Sequence, residues 1–214
     1  MKVLVACEFS QVVTQAFRDK DHEAYSCDVL PTDGNPNWHI QDDVMNHLNE
    51  NWDLMIAHPP CTYHCNSGVS WLHKRPERWN ELKKAIEFFN ELLNCNIPKI
   101  CVENPIPHKY SRKEIGDYSQ IIQPYQFGHP ERKATCLWLR NLPLLKPTRD
   151  VYDEMKKLPK SIAQRIHYTP PGKDRWKIRS TTFQGIADAM ANQWGKLELK
   201  TTLHYHSNVE RKEK

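Results

Sequence analysis

Cys61 and Glu103 are the residues of this 214-residue chain best placed to do chemistry. Cys61 closes the run Asp53-Leu-Met-Ile-Ala-His-Pro-Pro-Cys61, and Glu103 lies near the end of Lys99-Ile-Cys-Val-Glu-Asn-Pro105 one helix-length later. Each run has the length and apolar content of a buried parallel strand, and each stops at proline, which has no N–H with which to continue a ladder. Joined by a right-handed crossover helix, such strands are parallel neighbours about 4.8 Å apart with their carboxyl ends on one edge. Open α/β sheets bind ligands at that edge, so the thiol and the carboxylic acid are expected to face one crevice. That pair suits a nucleophile and an acid–base partner. The plainer reading, Cys61 as a small packed residue and Glu103 as a helix cap, stays open on spacing alone.

A second set of acids points to a nucleoside. The first apolar run ends in Ala6-Cys7-Glu8-Phe9-Ser10, and Asp28 follows 20 residues after Glu8, where the second strand should end. In nucleotide-binding sheets an acid at that place accepts hydrogen bonds from ribose hydroxyls. Ser10-Gln11 stands where a phosphate-binding loop would have glycines. This favours a cofactor without a pyrophosphate, such as S-adenosylmethionine.

The elements that must position these residues follow from periodicity. Strands are expected over 2–7, 23–29, 52–57, 97–102 and 134–139. Helices are expected over 10–20, 44–48 and 79–93, the last with Leu82, Ala85, Ile86, Phe89, Leu92 and Leu93 on one face. Thr181 opens a Thr-x-x-Gln capping signature, after which Phe183, Ile186, Ala187, Met190 and Trp194 recur at helical spacing. Strand, crossover helix and strand in repetition predict an α/β fold: a parallel, Rossmann-like sheet with helices on both faces. The chain reads as one domain over 1–198, with residues 140–180, rich in proline and basic residues, as a small subdomain or elaborated loop. The charged stretch 199–214 reads as a flexible tail.

Composition narrows the partners. No segment has the roughly 18 consecutive apolar residues of a membrane span, and the start is too short an apolar run for a signal peptide, so a cytosolic protein with no membrane partner is expected. Seven cysteines without a repeating spacing suggest free thiols rather than a disulfide framework. The net charge of +4 permits a polyanionic partner. Between Arg132 and Arg179 many cations alternate with Trp138, Tyr168 and Trp176, which suits a nucleic-acid backbone and its bases, or a merely solvated surface. His58, Cys61, His64 and Cys65 offer zinc-ligand chemistry, but a Pro-Pro turn interrupts them and no second Cys/His pair of zinc-ribbon spacing follows.

Pro59-Pro60-Cys61-Thr62 resembles the catalytic Pro-Cys loop of cytosine-C5 DNA methyltransferases, Val102-Glu-Asn-Pro105 resembles their Glu-Asn-Val motif, and 182–190 is similar to their closing helix motif. Order and spacing agree over about residues 3–195, and the size is that of short bacteriophage and prophage methylase-like proteins. The resemblance implies a methyltransferase sheet and S-adenosylmethionine as cofactor. Its partner would be cytosine-containing DNA, double- or single-stranded, in a bacterial host's cytosol. Cys61 would be the nucleophile, Glu103 would bond the base, and Asn104 would brace the loop. Arg132 would be the counterpart of a Gln-x-Arg-x-Arg arginine. Glu8, Phe9, Ser10, Asp28, Asp42, Asp43 and Pro59 would line the cofactor site, with Phe9 at its amino-acid end and Asp43 or Asp42 near the adenine. The chain departs from the pattern at Thr62, where Gln is usual, in the missing glycines, and in a target-recognition region reduced to 128–180. The reduction points to little sequence preference, a single-stranded or nucleotide substrate, or a protein partner that supplies specificity. A non-catalytic nucleic-acid binder on the same fold is the rival reading.

Overall fold

The computed structural model describes residues 1–197; the tail expected at 199–214 lies outside them. Five strands build the parallel part of the sheet: β1 (Lys2–Ala6), β2 (Glu23–Cys27), β3 (His39–Ile40), β4 (Leu54–Ala57) and β5 (Lys99–Pro105). Two more, β6 (Gln120–Ile122) and β7 (Thr135–Arg140), complete the order β3-β2-β1-β4-β5-β7-β6. The helices are α1 (Val12–Arg18), α2 (Ser70–Lys74), α3 (Arg78–Asn94), α4 (Lys109–Ile115), α5 (Tyr152–Lys156), α6 (Lys160–Ala163), α7 (Arg165–Tyr168), α8 (Arg175–Ser180) and α9 (Gln184–Trp194).

Alternation along the strands divides the core in two. Val3 and Val5 of β1, Leu54 and Ile56 of β4, and Cys101 of β5 pack with Phe17 of α1 and with Met190 and Trp194 of α9. The residues between them, Leu4, Met55, Ala57, Ile100 and Val102, pack on the other face with Phe89 and Leu92 of α3. Successive side chains of a strand point to opposite faces, so strands that are apolar throughout require helices on both.

The expected all-parallel sheet needs correction. β7 runs antiparallel to β5, pairing Val102 with Trp138, Asn104 with Cys136 and Pro105 with Thr135. For the same reason β5 does not stop at Val102. Its parallel pairing with β4 ends at Val102↔Ala57, while its other edge continues beside β7 through Glu103 and Asn104. Proline at Pro105 is tolerated because the strand is by then paired on one side only.

Thr181 is not the cap of the last helix. Its hydroxyl donates to the Lys177 carbonyl at 2.8 Å and so closes α8, and α9 begins at Gln184 after Phe183 in extended conformation. All seven cysteines are free. Among the described residues no helix is long and apolar enough to cross a membrane.

Candidate active site

The expected crevice corresponds to the carboxyl ends of β1, β4 and β5 and the start of β7, which the strand order and directions bring to one edge of the sheet. β4 delivers its loop rigidly. The His58 N–H still bonds the Ala6 carbonyl at 2.9 Å, after which Pro59 and Pro60 turn the chain and the Cys61 carbonyl accepts the N–H groups of His64 and Cys65, both at 3.1 Å. The fully buried Asn104 reaches across from β5, its side-chain amide donating to the Pro59 carbonyl at 2.9 Å. Further on, the His108 N–H bonds the His64 carbonyl and its ring bonds the Tyr63 carbonyl, each at 2.8 Å. His64 points inward, 2.6 Å from the Ser111 hydroxyl, and burial draws its pKa down to about 4. The loop carrying Cys61 is thus sewn to the segment that follows β5.

The chemistry is concentrated there. Glu103 accepts a hydrogen bond from His58 Nδ1 at 2.8 Å, and each of these side chains is only 12% exposed. Burial is the largest influence and opposes charge on both, but the bond between them and the neighbouring charges together outweigh it: the pKa of His58 is raised and that of Glu103 lowered. Cys61 is half-buried and hydrogen-bonded to the Cys65 thiol. That bond and burial push Cys61 up, whereas Cys65 is brought down to about 5 by accepting it, helped by the Ser67 hydroxyl 3.0 Å away. The two sulfurs therefore titrate as one pair in which the first proton leaves readily. Lys133 adds positive charge, lowering the pKa of Cys61, Glu103 and His58 alike.

Two of these groups escaped sequence reading. His58 was visible only as part of a possible zinc cluster. In the structure it turns to Glu103 while His64 turns to Ser111, and among the described residues no three His, Cys, Asp or Glu side chains converge on a metal position. The available signal was a histidine at the end of one apolar strand and a glutamate at the end of the next. Lys133 was hidden by strand direction: because β7 is antiparallel, its beginning, not its end, meets the crevice. Arg132 is exposed instead, its guanidinium 5.9 Å from the Tyr152 ring.

On the other side of the crevice the expected cofactor residues are held differently. Glu8 is buried and turned into the start of α1, where its carboxylate accepts the Val13 N–H at 2.7 Å, the Thr14 N–H at 3.2 Å and the Thr14 hydroxyl at 2.7 Å. It caps the helix rather than facing a ligand. Ser10 is half-buried, its hydroxyl 3.5 Å from Glu8 Oε1. Gln11 takes the left-handed conformation (φ 58°) at a position where glycine was missed, held there by bonds to Ser26 and to both backbone groups of Asn35. Asp28 stands just past β2, with Oδ1 accepting the Leu30 N–H. Asp42 accepts from the Asp43 N–H and from Asn46 and His47, which hold it below the usual carboxylate range, and Asp43 caps the turn beginning at Val44. Phe9 is buried beneath Trp176 of α8, ring centroids 5.0 Å apart, and Lys177 beside it bonds Asp33 at 2.7 Å.

The basic segment thus reaches both sides of the crevice, with Lys133 at Glu103 and Trp176 at Phe9. Trp176 and Tyr168 remain 46% and 53% exposed.

The donor set fits S-adenosylmethionine better than a dinucleotide. At the start of α1, where a pyrophosphate would bind, an internal carboxylate already satisfies the helix amides, while Asp28 stands where a ribose would be held.

The sheet is a Rossmann-like α/β fold in which β7 runs antiparallel to β5. No protein-family model matches the chain, and no curated protein matches its sequence. Among solved structures it is similar to a protein assigned as a DNA modification methyltransferase encoded within an E. coli prophage (13% identity, TM-score 0.42, 73% of this chain aligned with 55% of that one). It is also similar to the Entamoeba histolytica methyltransferase EhMeth (15% identity, TM-score 0.44, 69% of this chain and 57% of that one). The chain therefore spans just over half the length of either.

Proposed function

We propose that the protein is an S-adenosylmethionine-dependent methyltransferase that acts at C5 of cytosine in DNA. The observation that carries this reading is the junction of Cys61 and Glu103 at neighbouring strand ends, fixed by the Asn104 bond to the Pro59 carbonyl.

C5 of cytosine is a weak nucleophile until a sulfur anion adds to C6. Cys61 supplies that sulfur, its proton passing to the more acidic Cys65, present as the thiolate, as the S–C6 bond forms. As the S–C6 bond forms, the C5=C6 electron pair is released into the ring, and C5 becomes enamine-like. Glu103 accepts a hydrogen bond from the exocyclic amine of the base, and Lys133 offsets the negative charge that gathers on the ring. Asp28, Ser10 and Pro59 would hold S-adenosylmethionine, which would supply an electrophilic methyl group for C5 and depart as the neutral thioether. Loss of the C5 proton afterwards breaks the S–C6 bond and frees Cys61. The base must be open to attack from its face, so in a duplex it is flipped from the stack. The cations and exposed aromatics between 128 and 180 bind the strand around it.

Nucleoside mass spectrometry of single- and double-stranded DNA, after incubation with S-adenosylmethionine and native protein or Cys61→Ala, tests the reading. 5-Methylcytosine made by the native protein alone is the expected result. Equal product from both removes Cys61 from the reaction, and no product on either DNA removes cytosine C5 in DNA as the substrate.

A further inference from the structure

We propose that His58 is a positioning residue for Glu103: it holds one carboxylate oxygen so that the other is presented to the base. This rests on the reading of Glu103 as the group that bonds the base.

The geometry begins in the backbone. The His58 N–H is tied to the end of β1 through the Ala6 carbonyl, and Pro59 follows immediately, so the residue has little freedom to leave the end of β4. Its ring reaches the neighbouring strand, Nδ1 lying 2.8 Å from Glu103 Oε2. An ionised carboxylate has only lone pairs to offer, so Nδ1 carries the hydrogen. Oε2 is thereby committed, while Oε1 has no partner among the described residues. A glutamate with three side-chain torsions would otherwise lose entropy each time it met a base, and the histidine settles that orientation beforehand.

Every charge around the pair bears on its proton. His58 faces Glu103 from β5, Glu8 from beyond β1 and Lys133 from the start of β7; the two carboxylates favour its charged form and Lys133 disfavours it. Glu103 faces His58 and Lys133, both favouring the carboxylate, with the buried Cys101 and Cys136 thiols also within its field. Burial and Lys133 oppose the charged ring, and the two carboxylates together outweigh them, so the pKa of His58 is raised. His58 Nε2 is buried without a hydrogen-bond partner. Protonation at Nε2 leaves an unmet buried donor, a cost that the Glu103 hydrogen bond is the main contact to offset.

A merely structural histidine and this one behave differently when replaced. His58→Ala is expected to lower kcat for 5-methylcytosine formation about 100-fold with little change in KM, and to shift the acid limb of the pH profile upward as Glu103 loses its partner. His58→Asn, whose amide can still donate to Oε2, is expected to recover most of kcat but to lack the alkaline limb, because asparagine does not titrate. An alanine variant with native kcat and native pH profile overturns the proposal. A second measurement does not depend on the substrate assigned: NMR titration of the His58 ring in the native protein and in Glu103→Gln. The expected result is a pKa above the ordinary 6.5 that falls below it in the variant. A His58 titration unchanged by Glu103→Gln overturns the proposal even if the protein makes no 5-methylcytosine at all, and a shifted titration without product upholds the pair while removing the proposed function.

Discussion

The two sides of the crevice are built in opposite ways. On the side of β1, β2 and β3 the acids are spent inside the protein: Glu8 caps α1, Asp42 gathers His47 and Asn46, and Asp43 caps the next turn. On the side of β4 and β5, polar atoms are left without partners, including His58 Nε2 and Asn104 Oδ1, and a thiol pair shares a proton beside Lys133. Internal satisfaction makes a rigid seat, whereas unmet donors and acceptors are costly and persist where a ligand or a reaction uses them. The first side should fail by unfolding and the second by losing turnover.

The comparison breaks most visibly at Cys61. Cys61→Ala is expected to reduce product formation by about 10⁴-fold or more while the far-ultraviolet circular dichroism and melting temperature stay near native, since nucleophile removal takes away the reaction itself. Glu103→Gln comes next, with kcat lowered about 100- to 1,000-fold, because the neutral amide cannot serve as the anionic partner of His58. On the opposite side, Glu8→Ala should cost stability: removing three hydrogen bonds at a buried helix start is expected to lower the unfolding free energy by about 2–4 kcal/mol in denaturant titration. Asn104→Ala breaks only the bond to Pro59 and should cost about 1–2 kcal/mol, together with a lower kcat as the loop loosens. Lys177→Ala should barely move stability, since its pair with Asp33 is exposed, but should weaken DNA binding and reduce the salt slope by about one.

Acidity separates the sides as well. His58, raised from 6.5, contributes stability that is complete below that value and is lost as pH rises through its folded pKa. Glu103, lowered from 4.5, contributes stability that is complete above that value and is lost as pH falls through its folded pKa. The pair therefore stabilises most between about 4.5 and 6.5. Melting curves across pH for the native protein and His58→Asn should differ most in that window and converge at alkaline pH.

Much of the frame was legible in the chain because buried parallel strands are apolar on both faces. Val3 to Ala6, Leu54 to Ala57 and Ile100 to Val102 have that character, and α3 shows its face through Leu82, Phe89 and Leu92. The small strands were not legible. His39–Ile40 has two residues and Gln120–Ile122 three, too few for any period to register, and both are paired because a longer neighbour offers an edge. Direction was invisible too, since the apolar run of β7 reads alike either way, and this is why Lys133 and the pairing of Glu103 emerged only in three dimensions. The positions of Cys61, Glu103 and Asn104 at strand ends could be read; what each acid bonds could not, because Glu8 and Asp42 have partners set by the local turn.

The most direct test of the account is intact and peptide mass spectrometry after incubation of the protein with S-adenosylmethionine and an oligonucleotide carrying 5-fluorocytosine. Fluorine at C5 cannot leave as a proton does, so the account predicts a stable adduct of one oligonucleotide per chain, bearing the transferred methyl group and attached at Cys61. Product formation on ordinary cytosine without any such adduct, or an adduct at Cys65, would contradict it.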